Sequence, residues 1–202
     1  MKDAIPKPKP ERQPMGNTND LKRLTDLWYV IDAFRAERYY QLRRWGYRQP
    51  NGSFTEATHS IADFVVYMQD YYVEARHKVS REAGNDTSLE VLRKIVCLGI
   101  ACLEQLDRKD NDQPYTFNDL ADCIHCIGRI VPLTLNPDYS LYLLKIKFFL
   151  DNAEKQAACF NRGALLDIRE LVQVGVECFS QYGIQKRDLS QPIINGRDGL
   201  PA

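Results

Sequence analysis

Two stretches of this chain read alike at a constant offset, and each has the period of a helix. Leu89 to Gln105 sets against Leu165 to Gln181. Six positions are identical: Leu89/Leu165, Arg93/Arg169, Val96/Val172, Gly99/Gly175, Cys102/Cys178 and Gln105/Gln181. Five more exchange one apolar residue for another. The glycines carry the physical message. Gly inside a helix costs roughly 1 kcal/mol against Ala, so a Gly at the same place in both copies predicts a close helix approach. The segments before them fit too, after a small length change: Met68 with Ile146, Tyr71 with Phe149, Ala75 with Ala153. The alternative is that two amphipathic helices match by chance. Read as a repeat, the pattern predicts an all-α fold, a helical bundle built from a duplicated helical-hairpin unit with a leading helix on each copy. Each half holds about 80 residues and would be marginal alone, which predicts one shared core.

The helix boundaries follow from local signals. Leu21, Leu24, Leu27, Trp28, Ile31 and Phe34 form the first stripe, with Asp20 as N-cap and Gly46 as stop. A second helix is expected over about 59–81, capped by Thr58 or Ser60. A third is expected from Thr87 or Ser88 to Leu106. Thr116 with Asp119 has the form of a capping box and opens a helix that must end before Pro132. Pro137 starts the next, which runs to about Phe160, and the last spans roughly 164–182. No alternating strand of useful length is visible, and Asn51-Gly52 lacks the flanking alternation of a hairpin. The domain reading is therefore a disordered tail over 1–19, a first helical repeat over 20–110, a second over 114–189 and a C-terminal tail over 190–202. The proline-rich start cannot bury enough apolar surface to offset its ordering entropy.

Charge narrows the partners. Lys plus Arg number 27, Asp plus Glu 27, and the formal net charge is zero. No global basic field exists to hold phosphates, so no nucleic-acid partner is expected. No apolar run reaches the ~18 residues of a membrane span, and Met1 to Pro6 lacks the apolar core of a signal peptide. A cytoplasmic protein with no membrane partner is expected, as a homo-oligomer such as a dimer.

One run carries a family likeness. Glu37, Arg38, Gln41, Arg44, Trp45 and Gly46 follow the pattern Glu-Arg-x-x-Gln-x-x-Lys-Trp-Gly, with Arg44 at the Lys. The turn Pro50-Asn51-Gly52 follows. This run resembles the opening of small phage and bacterial proteins similar to the MazG-like, all-α nucleotide pyrophosphohydrolases. The resemblance implies Mg²⁺-dependent cleavage of an NTP or dNTP to the monophosphate and pyrophosphate. Where the family has Glu-Glu-x-x-Glu-Ala, this chain has Asp70-Tyr71-Tyr72-Val73-Glu74-Ala75. Where it has Glu-Leu-Val-x-Val, the first half has Lys94 to Leu98 and the second half has Glu170 to Val174. The resemblance implies Asp70, Glu74 and Glu170 as metal ligands, with Asp70 and Glu74 as the catalytic carboxylates. Arg38 and Arg44 would hold phosphate, and Trp45 and Tyr71 would shape the nucleotide pocket. Carboxylates at i and i+4 share a helix face, and Mg²⁺ prefers such hard oxygen ligands. The replacement of one ligand by Tyr71, and Lys94 at another, weakens that set. In the weaker form the protein only binds a nucleotide. The alternative is a non-catalytic helical interaction protein that binds a host partner or itself.

Other constellations are looser. Asp151, Glu154, Asp167 and Glu170 have the same general spacing, but 27 acids in the chain make one such match unsurprising, and solvated helix faces explain it. Cys123-Ile124-His125-Cys126 is a lone Cys-x-x-Cys within a helical stretch, weak as a metal site. Cys97, Cys102 and Cys178 fall on apolar faces, where Cys acts as a small hydrophobe. His59 and His77 read as exposed helix positions. The tyrosines and Trp45 between 39 and 72 suit either base stacking or helix packing.

Overall fold

A computed structural model describes residues 18–51, 54–81, 86–107, 112–113, 116–119, 138–159 and 163–184. Five long helices occur among them. They are α1 (Thr18–Trp45), α2 (Ile61–Arg81), α3 (Asp86–Leu106), α4 (Tyr139–Ala158) and α5 (Gly163–Tyr182). They pack as an all-α bundle. The expected boundaries agree within two or three residues, because they rest on caps that the chain carries locally. Ser60 and Asp63 form a reciprocal box: the Ser60 N–H donates to Asp63 Oδ2 (2.8 Å) and the Asp63 N–H to Ser60 Oγ (3.2 Å). Thr116 and Asp119 repeat it at 2.8 and 3.2 Å. Asp138 caps α4 through the Ser140 N–H at 2.8 Å. Gly183, with a φ of 84°, closes α5 by donating to Phe179 O. Helix α1 begins at Thr18, two residues before the expected cap Asp20. The rest of the helix opened by Thr116, the segment Cys123 to Cys126 and both tails beyond Thr18 and Ile184 lie outside the described residues.

One local feature was not foreseen. Two strands flank the Asn51-Gly52 stretch, though only two residues each: β1 (Tyr47–Arg48) and β2 (Phe54–Thr55), antiparallel, with Tyr47 opposite Thr55. Two residues are too short to show alternation, so the pattern had nothing to report. Gly46 makes the turn from α1 into this ladder. A side chain there would overlap Leu42 O and stand 3.1 Å from Thr55 O.

The chain packs as two hairpins, α2/α3 and α4/α5, joined through α3 against α5 and α2 against α4. Helices α3 and α5 meet at the two glycines. A Cβ on Gly99 would stand 2.9 Å from Val172 Cγ2, and one on Gly175 would overlap Val96 Cγ2. These contacts are reciprocal, because Gly99 corresponds to Gly175 and Val96 to Val172. Burial follows the same correspondence. Phe64, Val65, Met68, Tyr72 and Ala75 of α2 are buried, and so are Tyr142, Leu143, Ile146, Leu150 and Ala153 of α4.

The hairpins differ on one face. Arg93, Cys97 and Ala101 are buried, while Arg169, Gln173 and Glu177 at the corresponding places are half-exposed. Helix α1 is the cause. It lies over that side of α3, where Glu37 pairs with Arg93 (3.1 Å) and the Cys97 thiol donates to Phe34 O (3.7 Å). Among the described residues, no helix is long and apolar enough to cross a membrane.

Candidate functional site

The last turns of α1 organise a pocket. Arg38 sits near its base, with all five guanidinium N–H groups committed. Its Nε donates to Glu104 Oε2 (3.1 Å), its Nη1 to Gln41 Oε1 (3.2 Å) and Glu56 Oε1 (2.7 Å), and its Nη2 to Glu56 Oε2 and Glu104 Oε2 (2.9 Å each). Burial opposes its charge, but the two carboxylates overcome that and raise its pKa. Burial likewise opposes the Glu56 charge. The bonds from Arg38, helped by the Gln105 amide and by His59, outweigh it and hold Glu56 below the ordinary carboxylate value. Arg38 is thus an organiser of the pocket base, with no donor left to take up a phosphate.

This network orients Gln41, which is only 1% exposed. Its Oε1 faces Arg38, and flipping the amide would set donor against donor. Its Nε2 is consequently fixed, buried and without a hydrogen-bond partner. An unmet buried donor costs roughly 1–3 kcal/mol. Gln41 lines a pocket of about 530 Å³ between the end of α1, residues 56–59, α2 and α3. Gln105 ties the segment down: its Nε2 donates to Glu56 (3.1 Å) and its Oε1 accepts from the His59 N–H (3.2 Å). Trp45, Tyr67 and Tyr71 provide aromatic wall, and Leu98 and Ala101 of α3 close it. His59 belongs to this segment rather than to a helix, with its ring edge-on to Phe64 (5.5 Å) and Tyr67 (5.6 Å).

The structure gathers some of the expected site residues and separates others. Trp45, Asp70 and Tyr71 all line the pocket. Arg44 stands beside it, 5.7 Å over the Trp45 ring, donating to Tyr40 Oη at 2.6 Å, and its Nε has no partner. Lys94 lies 5.3 Å over the Tyr71 ring. Burial, followed by the Glu74 charge, raises the Tyr71 hydroxyl pKa. Glu74 itself pairs with Lys78 at 3.2 Å, one turn on. Glu170 is elsewhere, in a groove between α4 and α5. Among the described residues, no group of three or more His, Cys, Asp or Glu is placed to share a metal ion. Asp70 lines this pocket and Glu170 the other groove, so the three carboxylates that the resemblance implies are not gathered in one pocket.

The looser acidic set has local partners. Asp151 pairs with Lys147, Glu154 accepts from Gln69 (2.8 Å) and Asp167 from Gln156 (2.6 Å). Cys97, Cys102 and Cys178 are buried, as their apolar faces predict, and burial pushes the Cys102 and Cys178 thiols up to about 12.

Sequence reasoning missed Glu56, His59 and Gln105 as pocket residues, included Tyr67 only among the aromatics suited to stacking or packing, and assigned Gln41 no role. The spacing of Arg38 and Gln41, three apart on one helix face, was the available signal for Gln41. Glu56 and His59 lie in a short connection, where no period reports orientation.

Fold and site together define a helical bundle with an aromatic-walled pocket at the end of α1. Compared with known proteins, the chain finds no match among protein-family models, curated proteins or solved structures.

Proposed function

We propose that this protein is a nucleotide-handling helical bundle that holds a nucleobase in the pocket at the end of α1. The carrying observation is a cavity of about 530 Å³ with aromatic walls, lined also by Gln41, whose buried Nε2 has no hydrogen-bond partner. A planar heterocycle with a ring or exocyclic acceptor supplies the missing bond. Trp45, Tyr67 and Tyr71 offer it faces and edges, worth about 1–3 kcal/mol for a stacked base. Arg44, beside Trp45, is the cation available to the phosphates, whereas Arg38 serves to hold Gln41 and Glu56 in place. Asp70 lines the pocket and is the carboxylate best placed to meet a phosphate-bound Mg²⁺, and Glu74 lies one turn further on.

The test is a titration of the purified chain with nucleosides and nucleotides, followed by tryptophan fluorescence and calorimetry. Saturable binding that Trp45→Ala abolishes supports the reading. No binding of any base at millimolar concentration refutes it. A parallel incubation of a mixed NTP and dNTP pool with Mg²⁺, resolved by chromatography, separates binding from catalysis. Release of a monophosphate with pyrophosphate would mark the protein as a pyrophosphohydrolase. An unchanged pool with saturable binding would leave a nucleotide binder.

A further inference from the structure

The corresponding grooves of the two hairpins differ. On the first hairpin, the groove between α2 and α3 is roofed by the end of α1 and by residues 56–59, and it forms the pocket described above. On the second, the groove between α4 and α5 encloses about 520 Å³. Its floor, Phe149 and Val174, corresponds to Tyr71 and Leu98 of the pocket. Its α4 edge is apolar and exposed: Leu141 by 40%, Leu144 by 61% and Phe148 by 59%. The spacing of three and then four places them in one stripe along the helix. The corresponding residues of α2 are Asp63, Val66 and Asp70, so apolar groups stand where the first hairpin has two acids. Large exposed apolar side chains gathered in one stripe mark a surface that a partner covers.

We propose that this groove is a homodimer interface, in which two copies of the chain pack α4 against α4 about a two-fold axis. Leu144 and Phe148 of each copy enter the groove of the other. Charge selects a second copy over other partners. Lys145 stands on the α4 side of the groove, and Glu170 and Glu177 stand on the α5 side. An antiparallel, two-fold pairing carries the cation of each copy to the acids of the other, so both rims are matched at once. A ligand of a single sign would match one rim and repel the other. The formal net charge of zero leaves no long-range repulsion between copies. This interface is independent of the nucleotide pocket, and the two readings stand or fall separately.

Sedimentation equilibrium of the full chain, from nanomolar to high micromolar concentration, is the test. The expected species has twice the chain mass. Phe148→Asp and Leu144→Asp each change a side chain more than half exposed, so the fold, followed by circular dichroism, is retained. Each raises the dimer dissociation constant on the order of a hundredfold or more, because the two-fold axis counts every substitution twice. Lys145→Glu weakens the dimer, and adding Glu170→Lys with Glu177→Lys restores it. A wild-type chain that stays monomeric overturns the proposal, as does a dimer indifferent to both Asp substitutions. Failure of the charge reversal to restore dimers in a folded triple variant overturns the two-fold pairing.

Discussion

Replacing Gly175 with Ala tests how the two hairpins meet. In an exposed helix interior the change would stabilise by roughly 1 kcal/mol. Here the new Cβ would overlap Val96 Cγ2 and come within 3.4 Å of Val96 Cβ and Cγ1. Val96 is fully buried, and a β-branched side chain in a helix has essentially one χ1 well, so it cannot rotate aside. Forcing one methyl into a packed core costs about 1–3 kcal/mol, and an overlap this deep belongs at the upper end. The two terms leave a net loss of about 2 kcal/mol. The reciprocal Gly99→Ala meets Val172 Cγ2 at 2.9 Å, with the next neighbours at 3.5 and 3.7 Å, and so costs less. Urea unfolding followed by circular dichroism gives both values. Val96→Ala alone opens a cavity and costs about 2 kcal/mol. Combined with Gly175→Ala, the added methyl fills part of that space. The double variant should then be less destabilised than the sum of the singles, by about 2 kcal/mol. A Gly175→Ala protein more stable than wild type, or a strictly additive double variant, would refute the close approach of α3 and α5 at this point.

Other expectations follow from the pocket and the core. Arg38→Met strands Glu56 and Glu104 together, and the loss of stability at neutral pH should be about 3 kcal/mol by chemical denaturation. Because the folded-state pKa of Glu56 lies below its ordinary 4.5, its stabilisation is complete above that value and fades as pH falls through the folded-state pKa. Wild type and Arg38→Met should therefore converge in stability on acidification; a gap unchanged at pH values well below 4.5 would contradict the pairing. Gln41→Glu keeps the acceptor toward Arg38 and removes the pocket donor, so nucleotide affinity should drop about tenfold or more in calorimetry, with little change in secondary structure. A thiolate-directed reagent should label exposed Cys159 in the native protein and reach Cys102 and Cys178 only after unfolding, measured by mass spectrometry.

Much of the architecture was legible locally. Ser60 with Asp63 and Thr116 with Asp119 are caps that need only their own turn of chain; the second formed as read, and of the two candidate caps of α2, Thr58 and Ser60, it is Ser60 that caps, with Asp63. The paired glycines announced a close approach because a buried helical Gly needs a reason, and the reason is the valine of the other hairpin. The ladder around Asn51 escaped notice because two residues show no period. The site was legible only in part. Trp45, Asp70 and Tyr71 converge on the pocket, while Glu170, which shares their motif logic, lies in the other hairpin's groove.

The division has a physical cause. Hydrophobic period and capping chemistry act over three or four residues, so the chain by itself determines where helices begin, end and turn their apolar faces. Period says that a face is covered but not by which element. That α1 covers Arg93, Cys97 and Ala101, and leaves the corresponding face of α5 more open, was decided only by packing. The same holds for Arg38. Its charge suggested a phosphate, but tertiary structure delivered Glu56 and Glu104 to it from distant segments. A guanidinium has five donors, and once the fold supplied acceptors for all of them, its role passed from holding a ligand to aiming Gln41.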